Sequence, residues 1–271
     1  MYAAALFCQV LLATAAFALP SSRERLAQRV ARRAAGAHLS HPKQSVPGPV
    51  TEVSSTTNAT HAEFSSNWSG AVLVAGSGTY KSVTATFTVP TPREPSGGRG
   101  THSASAWVGI DGDTCGSAIL QTGVDFTVSG SSVSFDAWYE WFPAAAFDFS
   151  GFTVRAGDSI TATVTASSTT SGTATLINHS TGQQVSHSFS RQPALCQENA
   201  EWIVEDFEEN GGLVPLANWG TVTFTGASAG TSSGTSVGPS GATIIDLEQN
   251  GSVLTSVSTS GSSVTVEYTG S

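Results

Sequence analysis

Basic side chains are scarce in this 271-residue chain, which has 11 Lys and Arg against 20 Asp and Glu. Six of the 11 (Arg23, Arg25, Arg29, Arg32, Arg33 and Lys43) fall between residues 19 and 59. From residue 60 onward only Lys81, Arg93, Arg99, Arg155 and Arg191 remain against 18 acids, a formal charge near −13. Such a chain offers no basic groove to nucleic acid. Its carboxylates repel one another at neutral pH, and below about pH 4 most are protonated and the repulsion fades, so acid is the natural working condition. Cysteine is nearly as rare. Cys8 lies in the apolar N-terminal run, which leaves Cys115 and Cys196 for the folded part. Two cysteines in a secreted chain pair, closing a loop of about 80 residues worth about 4 kcal/mol on the chain-entropy model. A metal site is not expected. No later apolar run approaches the roughly 20 residues that span a bilayer, and no amphipathic helical spacing follows residue 60.

Familiar catalytic constellations are missing as well. There is no HExxH, no Gly-x-Ser-x-Gly elbow and no phosphate-cradling glycine loop. After residue 60 the histidines are His61, His102, His179 and His187, all in polar or loop-like contexts. In acid a histidine base is already protonated, which disarms a Ser-His-Asp triad. Paired aspartates of the pepsin kind need two Asp-Thr/Ser-Gly loops. Here Asp113-Thr114 is followed by Cys115, and Gln121-Thr122-Gly123 has glutamine where aspartate should stand.

What is present begins with MYAAALFCQVLLATAAFALP, an apolar run ending in Ala16-Phe17-Ala18. It reads as a signal peptide over residues 1–18, although its start lacks the usual positive charge. Residues 19–59 form a basic, Ala-, Ser- and Pro-rich pro-segment with two acids, near +4. Residues 60–271 form one domain. Opposite fields on pro-segment and domain attract, and acid weakens that attraction, so the pro-segment is expected to act as an inhibitor released at low pH. The product is expected outside the cell, as a monomer, without cofactor and without nucleic-acid or membrane partners.

Within the domain Val83, Ala85, Phe87 and Val89 alternate with Ser82, Thr84, Thr86 and Thr88, and similar runs recur at 73–74, 124–128, 133–138, 160–164, 173–177, 202–207, 221–225, 253–257 and 264–268. Short alternating runs between Gly, Ser, Asn and Asp turns predict an all-β sandwich of antiparallel strands. Residues 92–102, rich in Pro and Gly, form the clearest loop and the best site for nicking. Asn58, Asn67, Asn178 and Asn250 open glycosylation triplets.

Acids, amides and tryptophans concentrate in residues 105–126, 136–143 and 196–207; a Cys115–Cys196 bond would draw the first and last together, near Gln121 and Glu201. These segments resemble the glutamic peptidases, or eqolisins. Ser-Asn-Trp-Ser-Gly-Ala-Val at 66–72, Thr-Ala-Thr-Phe-Thr-Val-Pro at 84–90 and Leu-Ala-Asn-Trp-Gly at 216–220 match further. The resemblance implies a concanavalin- or jelly-roll-like sandwich of two large sheets, hydrolysis of peptide bonds in acid, and a dyad of Gln121 (in Ile-Leu-Gln-Thr-Gly) and Glu201 (in Ala-Glu-Trp-Ile-Val-Glu). It also implies that Trp107, Asp111 and Asp125 surround the active site and that Trp68 lies near a substrate cleft. Glu201 would deprotonate water and Gln121 would hold the oxyanion. A base for acid conditions calls for a low pKa, supplied by hydrogen bonds.

From the residues alone, Glu205 competes with Glu201, since four positions along a strand both share a face. Gln121 could be an interior amide, Trp107, Trp138, Trp141 and Trp202 could be core, and Asp111 and Asp113 could serve a turn. A jelly-roll glycoside hydrolase using Glu140 and Glu201, or a lectin-like module binding sugar through Trp68, Trp138 and Trp141, are the rival functions.

Overall fold

The computed structural model describes residues 38–46 and 62–270, and the signal peptide, most of the pro-segment, Asn58 and His61 lie outside them. Among the described residues there is no helix. Two large antiparallel sheets carry the fold. The first runs in the order Gln183–Phe189, Ser171–Asn178, Ser159–Ser168, Tyr80–Thr88, Thr221–Thr231, Ser263–Tyr268, Thr255–Ser260. The second runs Ser252–Val253, Thr243–Gln249, Trp68–Val74, Asn199–Glu205, Thr101–Ile110, Ile119–Ser129, Ser132–Phe142, Phe147–Asp148. Ala62–Ser65 adds to Thr243–Gln249 in parallel. The sandwich expected from the alternation is therefore observed.

The first sheet is amphipathic in the simplest way. Val83, Ala85 and Phe87 are buried, whereas Ser82, Thr84 and Thr86 are half-exposed and paired across strands, Thr84 Oγ1 with Thr163 Oγ1 at 2.7 Å and Thr86 Oγ1 with Thr161 Oγ1 at 2.7 Å. Hydroxyl ladders of this kind keep a sheet wettable without charge. Phe87 and Phe224 meet edge to face at 5.4 Å in the core between the sheets. Trp202 reaches across from the other sheet and donates Nε1–H to the Thr84 carbonyl at 3.0 Å.

The second sheet is buried on both faces. Ala104, Ala106, Val108, Leu120, Val124, Phe126, Trp202 and Val204 enter the main core. Alternate residues on the same strands, Trp107, Ile119, Trp138 and Ile203, join Trp68, Val72, Ala146 and Ile245 in a second cluster on the opposite face. Double burial hides strands from a search for alternation. The central strand Thr101–Ile110 is buried from His102 to Ile110 and built of Ala, Ser and Gly as much as of large residues. It is absent from the predicted runs, as are Gln183–Phe189, a sheet edge, and Thr243–Gln249.

Residues 92–102 cross from one sheet to the other. Arg93 and Asn218 exchange backbone hydrogen bonds of 2.8 and 2.9 Å at the base, and Ser96, Gly97, Arg99 and Gly100 are exposed. Cys115 and Cys196 are bonded, closing a loop of 81 residues. Of the described glycosylation triplets, two are inaccessible: Asn67 is buried and accepts the Gln44 N–H at 2.8 Å, and Asn178 is buried and donates to Asp158 at 2.8 Å. Asn250 is exposed at a turn tip.

Candidate active site

Strand register assembles the site on the outer face of the second sheet. One cross-strand row reads Val72, Glu201, Gly109, Gln121, Glu140. The row four residues away along Asn199–Glu205 reads Trp68, Glu205, Ser105, Asp125, Asp136. Between them lie Gly70, Ile203, Trp107, Gly123 and Trp138, whose aromatic rings form the floor. Every site residue read from the sequence except Asp111 and the cysteines belongs to these rows, because residues two apart on a strand share a face.

Gly109 is what leaves room between Glu201 and Gln121. Glu201 and Gln121 lie on strands that are not neighbours, with Gly109 between them. A Cβ on Gly109 would stand 2.8 Å from Glu201 Oε1, 3.3 Å from Gln121 Cβ and 2.8 Å from the Trp107 ring. Its missing side chain is the space over which the two functional groups face each other. Sequence reasoning overlooked Gly109; the signal was a glycine within the otherwise large and buried Trp107-Val108-Gly109-Ile110.

Asp111 acts on backbone. Its carboxylate accepts the N–H groups of Gln197, Glu198 and Asn199 at 2.8, 2.9 and 3.3 Å. Asn199 Oδ1 in turn accepts from Asp113 at 3.2 Å and Thr114 at 3.0 Å. With the Cys115–Cys196 bond this network fixes the turn that launches Asn199–Glu205, and so the position of Glu201. Gln121 is no strand-end amide: its Nε2 donates at 3.2 Å to the carbonyl of Ser40, in the stretch 38–46.

All these carboxyls are out of water, and the consequence runs against the low pKa expected for the base. Burial pushes Glu201 well above the ordinary carboxyl range, and the nearby charges of Asp111 and Asp113 add to it. Neither Glu201 oxygen finds a hydrogen-bond partner among the described residues. Glu205 is pushed to about 8 by burial although Trp107 Nε1 donates to it at 2.9 Å, and its neighbour Asp206 is pushed to about 7. Glu201 and Glu205 differ in their partners. Glu205 is engaged by Trp107 and by Asn67 Nδ2 at 3.5 Å and has Ser105 opposite it, whereas Glu201 has open oxygens and Gln121 across the Gly109 gap.

The sequence model of the Peptidase A4 family matches residues 66–268. This chain belongs to that family. It is 50% identical to aspergillopepsin-2 of Aspergillus niger over 276 residues, covering 95% of this chain and 96% of the relative. It is 43% identical to scytalidopepsin B of Scytalidium lignicola over 277 residues, covering 98% of both. Its structure is similar to that of scytalido-glutamic peptidase with a transition state analog inhibitor, with TM-score 0.69 and 47% identity over 75% of this chain and 98% of that one. The chain is thus a glutamic-type endopeptidase, an eqolisin, as the resemblance implied.

The rival functions fit this peptidase poorly. Glu140 stands three strands from Glu201, with Gly109 and Gln121 between them, and no motif of the glycosidase kind joins the two. Trp68, Trp138 and Trp141 are each 1% exposed or less, and stack on no open surface. Trp141 and Trp202 are core, as the bland reading held.

Two measurements test the site. A methyl at Gly109 overpacks the gap, so Gly109→Ala is expected to cost about 1–3 kcal/mol in thermal unfolding and about 100-fold in kcat, through misplacement of the dyad. Glu205, Asp206 and Asp246, the last pushed by burial to about 6, hold protons in the folded chain that the unfolded chain has released. Their stabilisation is complete below the unfolded carboxyl pKa near 4 and is lost as pH rises through about 6 to 8. Tm is expected to be highest in acid and to fall steadily between those limits.

Proposed function

We propose that this peptidase is made as a secreted precursor and works outside the cell in acid, as a pepstatin-insensitive monomer whose catalytic dyad is Glu201 and Gln121. The observation that carries this reading is the contact of Gln121 Nε2 with a peptide carbonyl, that of Ser40, across the gap from the open oxygens of Glu201. In a substrate, Glu201 takes a proton from water as the water oxygen attacks the scissile carbonyl carbon. Gln121 donates its amide N–H to the oxyanion that forms. Glu201 then passes the proton to the leaving nitrogen as the C–N bond breaks. Taking that proton requires Glu201 in its ionised form, so its pKa, raised by burial with residues 38–46 over the site, has to fall once those residues leave and water enters the cleft. Trp107, Glu205, Trp68 and Asp125 support the dyad and substrate, and Asp111 positions the Glu201 strand.

The substrates are proteins and peptides, and the first ligand of the cleft is the chain's own pro-segment, acting as inhibitor. Residues His38–Leu39 pair with Glu208–Glu209, Ser40 N–H donates to Glu140 at 3.3 Å, and Trp68 Nε1 donates to the His41 carbonyl at 3.0 Å. Three side chains of the stretch add to this backbone grip by meeting acids: His38 with Asp125 at 3.3 Å, His41 with Glu208 at 3.4 Å, and Lys43 with both Asp113 and Glu63. Contacts between a basic stretch and acids of the domain support its role as an inhibitor released in acid.

Glu201→Gln in the matured enzyme, assayed near pH 3 on denatured casein with pepstatin present, is expected to abolish turnover while leaving the circular dichroism unchanged. Gln121→Ala is expected to cost about 10²–10³ in kcat. Residual turnover by the Glu201 variant at a few per cent or more removes it from the role. The purified precursor is expected to mature faster near pH 3 than near pH 7, where carboxylates are ionised; equal rates contradict release through the charge pairs.

A further inference from the structure

Two residues next to the strand of Glu201 hold a backbone conformation that side chains rarely adopt: φ is 70° at Asp111 and 59° at Gln197. A left-handed residue other than glycine persists only where its surroundings over-determine it, and such residues gather at functional sites. Here the two are joined. The Gln197 N–H donates to Asp111 Oδ2 at 2.8 Å, and the Asp111 N–H donates to the Asn199 carbonyl at 3.2 Å. Asp111 earns its conformation by collecting the N–H groups of residues 197–199, whereas Gln197 is held from the other side.

That other side is the first sheet and the segment leading into it. The Gln197 carbonyl accepts the Tyr80 N–H at 2.9 Å, and the Cys196 carbonyl before it accepts the Gly78 N–H and the Ser77 hydroxyl, each at 2.8 Å. Gln197 is 1% exposed, and its side chain is engaged at both ends: Nε2 donates to the Ser168 carbonyl at 3.5 Å, and Oε1 accepts from the Lys81 ammonium. Lys81 lies in Tyr80–Thr88, in the sheet opposite the cleft, and is one of only five bases from residue 60 onward. In a domain with so many acids, it pairs with no carboxylate among the described residues. Its charge goes to a buried amide instead, and a hydrogen bond from a charged donor is a strong one.

We propose that Lys81 is a positioning residue for Glu201: by bracing Gln197 it holds the turn at residues 196–199 against Asp111, and so fixes where the strand Asn199–Glu205 begins and where Glu201 stands opposite Gln121. The inference rests on the reading of Glu201 as the catalytic base. Asp111 and the Cys115–Cys196 bond fasten this turn to the second sheet, and Lys81 supplies the side-chain fastening to the first. Without the ammonium, a buried amide oxygen loses its partner and a conformation costly for glutamine loses its brace. The turn then relaxes. A small displacement of the base is felt in the chemical step, where reacting atoms must be aligned, more than in the binding of a long peptide.

The test uses the matured enzyme near pH 3 and a peptide cleaved at one bond, with kcat referred to the folded fraction measured by near-ultraviolet circular dichroism. Lys81→Met keeps most of the side-chain length and removes the donor; kcat is expected to fall about tenfold, with KM unchanged within about twofold. Lys81→Arg restores a charged donor and is expected to bring kcat back to within about threefold of the parent. Glycine adopts the left-handed conformation without a brace, so in a Gln197→Gly background the Lys81→Met change is expected to cost less than about twofold. An unchanged kcat in Lys81→Met, a loss confined to KM, no recovery in Lys81→Arg, or an equal loss in the Gln197→Gly background overturns the role. Glu201→Gln, assayed beside these, separates the inference from the reading beneath it. If it abolishes turnover while Lys81→Met leaves kcat untouched, the positioning role alone fails; if it still turns over, Glu201 is not the base and the positioning role falls with it.

Discussion

The constraint on which this structure depends is the removal of carboxyl groups from water on one face of a sheet. Asp111, Asp125, Glu140, Glu201, Glu205 and Asp206 are all buried. An ionised carboxylate in such surroundings is costly unless paired, and the usual escape is protonation. Among the described residues, the basic side chains that meet carboxyls at the cleft, His38, His41 and Lys43, all come from the stretch 38–46. Burial also raises the pKa of Glu201 and Glu205, which therefore take up protons readily. Acid is therefore a component of the folded state as well as the medium of the reaction, and the same groups that make the site usable at low pH loosen the fold as pH rises.

A sheet can tolerate so polar a face only because its other face is fully committed to a core. Thr101–Ile110, Ile119–Ser129 and Asn199–Glu205 send alternate residues into the main core beneath and into the cleft above. Rigidity on the apolar side sets the height and spacing of the polar side. Two details then tune the site. Gly109 removes one side chain from the middle of a row, and Asp111 gathers three backbone N–H groups at the turn before Asn199, which the disulfide fastens to the other end of the row.

The sandwich was legible in the sequence where burial is one-sided, as in Tyr80–Thr88, whose threonines and apolar residues keep strict alternation. It was illegible where both faces are covered, and the central strand Thr101–Ile110 was missed for that reason. The identities of Glu201 and Gln121 were carried by motif, and their mutual placement by register, which no single-residue pattern contains. The raised pKa of Glu201 was not foreseen, because hydrogen bonds to a carboxylate cannot be counted before the strands are laid side by side. Nor did a charge count reveal which acids Lys43 meets; opposite net charges predict attraction, and only distances name the partners.

The choice of an amide as the partner of Glu201 follows from its neighbours. Gln121 stands in a row with Glu201 on one side, across Gly109, and Glu140 directly on the other. A carboxyl at position 121 would place three acids in one buried row, and closely spaced buried acids titrate as a coupled set, with protons shared among them in ways that shift with every change of pH. A group that ionises, or that holds its proton facing the wrong neighbour, is a poor hydrogen-bond donor. An amide has no such state. It presents N–H at any acidity, and its neutrality leaves the charge on Glu201 to be set by burial and by the Asp111 and Asp113 turn. On the proposed reading, a lone carboxyl can serve as the base because the residue across from it cannot titrate.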